Sequence, residues 1–449
     1  MYEADTIAAI ATPPGPGGIG VVRVSGPAAE RLAHAVFRRR RPGGWQTHRL
    51  YGGRIVGRDE IPLDDGLAVL MRAPRSYTGE DVLELHCHGS PVVLQRVLQS
   101  LLEYGARPAR AGEFTKRAFL NGKLDLAQAE AVAALVRART TDAAGAAADQ
   151  LFGHLSAHLA ALREQLIRAK SHLEARIDFS EEVDLDDAAL AADLDRARAR
   201  AAALHRTYAR GRLLRDGLRV AITGRPNVGK SSLLNALLGA ERAIVSATPG
   251  TTRDVLEDSA DFGGVPVVLC DTAGLRDAGD EVERIGIARA HSAAAAADVV
   301  LVVLDTAQPF APQRAMLARD APLAVLNKID LACVWSADEI AAVESAYETV
   351  RISATVPRGL DALRQAVTQR GSGQWGDNVP TLISARQHDA LVKVEAGLAR
   401  ALAALGDALP AELIAADVQG ALEALGAVTG AVSSEEVLDA VFREFCIGK

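Results

Sequence analysis

The segment Gly224-Arg-Pro-Asn-Val-Gly229-Lys230-Ser231 constrains this 449-residue chain more than any other. It follows the apolar run Leu218–Thr223 and precedes the helical run Ser232–Leu238. In a strand–loop–helix setting, glycines let backbone N–H groups turn inward around phosphate oxygens. Lys230 then neutralises the β- and γ-phosphates, and the Ser231 hydroxyl ligates Mg²⁺. Asn227, Val228, Gly229, Lys230, Ser231 and Ser232 are the candidate phosphate contacts. The runs Val265–Cys270, Val299–Asp305, Leu323–Asn327 and Val350–Ser353 alternate with helical stretches, which argues for a parallel sheet covered on both faces.

Further elements specify the base. Asp271-Thr272-Ala273-Gly274 ends an apolar strand, so Asp271 can hold Mg²⁺ through water and Gly274 can donate its N–H to the γ-phosphate. Asn327-Lys328-Ile329-Asp330 ends another. An aspartate there accepts from the N1–H and 2-amino groups of guanine, donors that adenine lacks. Ser353, Ala354 and Thr355 supply the remaining base contacts, and Thr251-Thr252 offers a second hydroxyl for Mg²⁺, at Thr252, in a switch position. These elements together predict a GTP-binding module. Leu275 follows Gly274 where a Ras-like chain has a water-orienting Gln, so hydrolysis needs another group. Candidates are Glu283, acting through water, and Arg253 or Arg276, each of which alone also reads as a solvated charge.

The flanks differ in texture. Residues 1–120 read as mixed α/β, with strand-like runs at Thr6–Ala11, Val21–Val24, Leu67–Met71 and Val82–His86 and a helix opened by Pro91. Residues 121–215 lose strand signals, and Leu155, Leu159, Leu162, Leu166, Ala169 and Leu173 form a helical seam. The acidic run Glu181–Asp187 reads as a break between helices. The GTP-binding stretch occupies 216–376, with Gly371-Ser372-Gly373 as a linker, and helical texture returns over 377–449, where Ser433 and Glu436 form a capping-box pattern. The expected organisation is thus an α+β N-terminal domain, a discontinuous helical domain and an inserted P-loop domain: multidomain α/β and all-α.

Charge and cysteine content narrow the class. Net charge is −7, which excludes a polycation built to coat nucleic acid, yet residues 1–123 carry 17 Lys/Arg against 12 Asp/Glu. That third can face an anionic partner. Cys87, Cys270, Cys333 and Cys446 are scattered without a CxxC pair, the N-terminus lacks a signal-peptide pattern, and no apolar stretch suits a membrane span. A cytoplasmic location without membrane association is the expectation. His86-Cys87-His88 is a weak metal motif, since alternation along a strand turns Cys87 away from the two histidines.

The phosphate loop, Asp271–Arg276, Glu281-Val-Glu283-Arg-Ile-Gly-Ile287 and the terminal Cys446-Ile-Gly-Lys449 together closely resemble the tRNA modification GTPase family MnmE, also called TrmE. Ala11-Thr-Pro-Pro-Gly15, Tyr77-Thr-Gly-Glu-Asp81 and Gly112–Asn121 look like the same family, and the resemblance spans essentially the whole chain. It implies an N-terminal folate-binding and dimerisation domain similar to tetrahydrofolate-dependent aminomethyltransferases, a discontinuous helical domain and an inserted Ras-like G domain. It also implies a homodimer that works with the flavoprotein MnmG in a heterotetramer. Together they add an aminomethyl or carboxymethylaminomethyl group to carbon 5 of the tRNA wobble uridine, using 5,10-methylene- or 5-formyl-tetrahydrofolate.

Carried over by position, folate contacts fall on Arg23, Glu84, Lys123 and Lys449, and Cys446 matches a position tied to modification. The resemblance implies K⁺ ligation by Asn227, Ser246, Thr248 and Thr251, with Ala247, Pro249 and Gly250 completing a nucleotide-contacting loop, and Glu283 as the general base that positions water. Ser90 and Ser246 depart from commoner family residues without disturbing these roles. The competing readings are a ribosome-assembly GTPase switch, which would append a KH-like or basic RNA module, and a stand-alone folate-dependent methyltransferase, which has no use for a full set of GTP motifs.

Overall fold

The structure, a computed structural model, describes residues 5–178, 187–239, 258–271, 297–317, 322–372 and 380–449. The chain opens with β1 (Ile7–Ile10), β2 (Gly17–Ser25), α1 (Ala29–Val36), β3 (Phe37–Arg39) and β4 (Leu50–Val56). β5 (Pro62–Met71), β6 (Val82–Gly89), α2 (Pro91–Glu103) and β7 (Arg107–Pro108) follow. The strands form one sheet in the order β3-β4-β5-β6-β2-β1-β7. Period-two alternation gives it two unlike faces. Val22, Val24, Ala68, Leu70, Leu83 and Leu85 point toward α1 and α2 and are buried. Arg23, Glu84 and His86 therefore lie on the opposite face, with Arg23 directly across from Glu84. Sequence patterning predicted neither β3 nor β4. β3 is three residues long with two arginines, and Gly52-Gly53 interrupts the apolar alternation of β4.

A buried ion network anchors this region to α3 (Glu113–Leu120). The Arg117 side chain is 1% exposed and donates to Asp5 at 2.6 Å, Glu80 at 2.9 Å and Glu113 at 3.2 Å. Burial pushes Asp5 and Glu113 upward, but hydrogen bonds from Arg107 and then Arg117 to Asp5, and from Arg107, the Arg110 N–H and Arg117 to Glu113, hold both below the ordinary carboxylate range. Values lowered by folding mean that this pairing stabilises the native state above about pH 4 and is lost as pH falls through the lowered values. Arg117→Leu is therefore expected to cost about 3 kcal/mol at neutral pH by stranding its carboxylates. The gap should narrow in acid, which urea unfolding at neutral pH and near pH 3 checks.

α4 (Leu126–Arg137), α5 (Thr141–Leu151), α6 (His154–Asp178), α7 (Asp187–Arg206) and α8 (Tyr208–Asp216) come next. A second sheet follows: β8 (Leu218–Thr223), α9 (Lys230–Gly239), β9 (Asp258–Phe262), β10 (Val265–Asp271), β11 (Val299–Asp305), β12 (Leu323–Asn327), α10 (Ala337–Ala346), β13 (Thr349–Arg351) and α11 (Leu360–Ser372). Its order is β13-β12-β11-β8-β10-β9, parallel except where β9 meets β10. Val220, Ile222, Leu301 and Val303 fill one side, and Val302, Leu304 and Leu326 the other.

α12 (Ala385–Gly406), α13 (Ala411–Thr429) and α14 (Glu435–Arg443) close the chain. The seam from Leu155 to Leu173 is buried against Leu190 and Leu194 of α7, Leu391 and Leu398 of α12, and Val418 and Leu425 of α13. Helices from both sides of the second sheet thus share one core. Two local expectations are corrected. Gly371 and Ser372 end α11 and do not open a linker; a Cβ on Gly371 would lie 2.4 Å from Leu218 Cδ1, so the glycine permits close packing. Ser434, not Ser433, caps α14, its Oγ accepting from the Val437 N–H. Glu181 to Asp186 of the acidic run lie outside the described residues, and Asp187 opens α7.

Candidate functional site

The phosphate loop leaves the C-terminal end of β8 and enters α9, whose N-terminal dipole and free N–H groups favour an anion there. Lys230, the first residue of α9, folds its ammonium over the loop and donates to the Gly224 carbonyl at 3.0 Å and the Arg225 carbonyl at 2.8 Å. Gly229 has φ +99°, and a Cβ there would lie 2.4 Å from Asn327 Nδ2, so only glycine fits between the loop and the end of β12. Val228 is buried, whereas Asn227, Ser231 and Ser232 are exposed.

Asn327 joins three segments. Its Nδ2 donates to the Val228 carbonyl at 2.9 Å, and its Oδ1 accepts from the Ala354 N–H at 3.1 Å. Lys328 donates to the Asn227 carbonyl at 3.1 Å and pairs with Asp305 at 2.7 Å. Sequence reading missed Asp305, although an acidic residue ending an apolar strand at the carboxyl edge of a parallel sheet is a readable signal. A hydrogen bond from Ser353 holds the exposed Asp330 below the usual carboxylate range, helped by Thr355. Asp330 thus stays an ionised acceptor facing solvent beside Ser353, Ala354 and Thr355. Asp271 ends β10 next to Ile222 on β8. Ser246, Ala247, Thr248, Pro249, Gly250, Thr251, Thr252, Arg253, Thr272, Ala273, Gly274, Leu275, Arg276 and Glu283 lie outside the described residues.

A second constellation joins the two ends of the chain. Arg23 Nε donates to Glu84 at 2.8 Å, and an Arg23 guanidinium N–H donates to the Gly448 carbonyl at 3.3 Å. The guanidinium lies 5.6 Å from the Tyr77 ring centre and 5.7 Å from that of Phe114. A hydrogen bond with His86 and the charge of Arg23 keep Glu84 well ionised. Burial and then the Arg23 charge lower the affinity of Lys449 for its proton. Gly448 has φ +95°, and a Cβ would lie 2.4 Å from the Ile10 carbonyl, so the tail turns tightly against β1. The Cys446 carbonyl accepts from the Gly112 N–H, and the residue is exposed.

Lys123 stands apart from this cluster. It donates to the Pro74 carbonyl at 3.1 Å, against the loop that presents Tyr77, and lines a cavity of about 500 Å³ with Asp125 and Thr429. His86 was weighed in the sequence only as a weak metal ligand, though its place two residues from Glu84 on one strand face was readable. Cys87 points into the core, where burial pushes its thiol up to about 12. Among the described residues no group of three or more His, Cys, Asp or Glu is placed to hold a metal.

Known proteins match these regions. A family described as the MnmE helical domain matches residues 126–446, and one described as the GTP-binding protein TrmE N-terminus matches residues 6–123. The tRNA modification GTPase MnmE of Natranaerobius thermophilus is 44% identical over 99% of both chains. That of a Synechococcus strain is 47% identical over 99% of this chain and 98% of its own. The chain belongs to the MnmE family of tRNA modification GTPases. Within that MnmE frame, the TrmE match covers the sheet bearing Arg23 and Glu84, and the helical match brackets the second sheet with its phosphate loop. The G domain of the T. maritima FeoB iron transporter is similar to part of the chain, at 25% identity and a TM-score of 0.26 over 34% of this chain and 99% of that one. No helix among the described residues is long and apolar enough to cross a membrane.

Proposed function

We propose that this chain hydrolyses GTP and, with the flavoprotein MnmG, modifies carbon 5 of the tRNA wobble uridine, drawing a one-carbon unit from a bound folate. The observation that carries the reading is the seat of the C-terminal tail on Arg23: one chain unites a phosphate loop with a separate pocket of paired charges. Residues 1–120 form its folate-binding and dimerisation domain, 121–215 and 377–449 its helical domain, and 216–376 its G domain.

In the G domain, Lys230 and the N–H groups of residues 227–232 hold the phosphates, Ser231 and Thr252 hold Mg²⁺, and Asp271 to Gly274 sense the γ-phosphate. The loop from Ser246 to Thr252 contacts the nucleotide. Asn227, with Ser246, Thr248 and Thr251, would hold K⁺. Such a cation supplies positive charge where negative charge develops on the phosphates. The exposed Asn227 side chain fits that role. In the N-terminal domain, Glu84 suits the donor edge of a pterin, and Arg23 and Lys449, with Lys123 one loop away, suit the carboxylates of the folate tail. The folate, as 5,10-methylene- or 5-formyl-tetrahydrofolate, supplies the one-carbon unit. Cys446 lies beside this pocket, in keeping with a role in modification. Mass analysis of tRNA nucleosides from cells lacking the gene, with and without this chain restored, tests the reading. Unmodified wobble uridine in both would overturn it.

Guanine choice rests on Asp330. Asp330→Asn exchanges an acceptor for a partial donor and removes a charge-assisted pair. GTP binding should weaken about ten- to a hundredfold, and xanthosine triphosphate binding should strengthen. Titration of both nucleotides decides this, and unchanged GTP affinity would remove Asp330 from base recognition.

A further inference from the structure

From Arg31 to Arg58 the chain holds eight arginines and no aspartate or glutamate, although its net charge is −7. This stretch builds the β3–β4 edge of the N-terminal sheet and its connecting loop. Arg38 stands directly opposite Arg54 across the two strands, a like-charge pair that disfavours the ladder unless countercharge is near. Glu60 takes up Arg38, and Asp65 takes up Arg40 at 2.6 Å. Arg41, Arg49, Arg54 and Arg58 are exposed, and among the described residues no carboxylate is seen to pair with them. Basic residues commonly shield an edge strand from aggregation. That accounts for β3 itself, but not for Arg41, Arg49 and Arg58, which lie outside the strands.

Aromatic rings stiffen the same edge. The Arg39 guanidinium sits 3.7 Å from the Tyr51 ring centre, Arg49 flanks that ring at 5.7 Å, and Trp45 meets Tyr51 edge-on at 5.2 Å. The loop carrying Arg41 and Arg49 is thereby held against the sheet. The direction of the surface matters as well. Arg54 faces Asp65, and Leu67, two residues along β5, faces His86. Arg38, Arg54, His86, Glu84 and Arg23 therefore share the face opposite the helices. Four strand spacings separate β3 from β2 in the sheet order, roughly 19 Å.

We infer that the β3–β4 arginine edge is where tRNA lands on this chain, its phosphates on Arg41, Arg49, Arg54 and Arg58 and its path running along the sheet face toward the tail-covered pocket of Arg23 and Glu84. An otherwise acidic chain repels a polyanion at long range, so RNA needs a locally basic face to approach. The inference rests on the tRNA-modifying reading above and adds to it the surface that receives the RNA.

The test uses the full-length chain with all four residues changed to Gln, and a second variant with all four changed to Lys. Affinity for unmodified tRNA is measured across a salt series, alongside unfolding midpoints and wobble-uridine modification in complemented cells. The Gln variant should bind about tenfold or more weakly at physiological salt, and its slope of log affinity against log salt should be shallower by about three. The Lys variant should stay near wild type. Wild-type affinity and slope in the Gln variant would overturn the inference, as would equal loss in the Lys variant with a lowered midpoint, which would mark the arginines as packing residues. Lost modification with intact tRNA affinity would assign the edge to a protein partner and overturn it too. Wild-type protein that fails to restore modification would instead sink the functional reading itself.

Discussion

Deleting Cys446-Ile-Gly-Lys449 is expected to reduce wobble-uridine modification to background while leaving GTP hydrolysis largely intact. The deletion removes the Gly448 carbonyl that receives Arg23, and the half-buried Lys449 ammonium beside it. Arg23 keeps its bond to Glu84, so the sheet retains that internal pair and loses the wall that closes the pocket. The nucleotide cradle belongs to a different sheet, built on β8 and β12, where Lys230 bonds the Gly224 carbonyl and Asn327 the Val228 carbonyl. A point variant separates chemistry from folding. Lys449→Met keeps the tail's length and its Gly448 turn, and should lose folate binding while the unfolding midpoint holds. Nucleoside mass analysis, folate titration and GTPase rates on the two variants check this. Hydrolysis that fell as far as modification would make the terminus a fold element and not part of a site.

That pocket shows where sequence reasoning stops. The phosphate loop was legible because its spacing encodes one local conformation, with Gly229 demanded by a 2.4 Å approach to Asn327. The seam from Leu155 to Leu173 was legible because a helical period writes the buried stripe into neighbouring residues. β9 was not, because Asp258–Phe262 is largely polar and is a strand only through its pairing with β10. The Lys328–Asp305 pair and the Asn327 bridge to Ala354 depend on sheet order, which no local pattern states. Arg23 and Gly448 lie 425 residues apart; the resemblance assigns both ends of the chain to one folate site, but no local pattern states which atoms meet there. The structure brings them together within one chain. Lys123, carried over with them, instead holds the Pro74 carbonyl one loop away.

Glu283→Ala is expected to lower kcat for GTP by about 10²–10⁴, the usual scale for losing a general base, with GTP affinity near wild type. Leu275 offers no group to orient water, and the resemblance gives that role to Glu283. A base that acts only on the attacking water contributes little to ground-state binding, so kcat should fall and KM should not. The cation dependence rests on Asn227. Asn227 sits at φ +64°, a region that Asn enters more readily than most side chains, and its carbonyl accepts from Lys328. The side-chain oxygen is the group Asn227 has left to offer a cation. Oxygens held by a rigid loop at K⁺ distances would coordinate the smaller Na⁺ poorly, so hydrolysis should rise steeply in KCl and little in NaCl. If two G domains meet across their nucleotides, the K⁺-stimulated rate per chain should also rise with protein concentration. Rates in the two salts and Glu283→Ala kinetics in KCl decide the matter. Equal rates in both salts would remove Asn227 from cation binding, and a fully active Glu283→Ala would shift the catalytic role to Arg253 or Arg276.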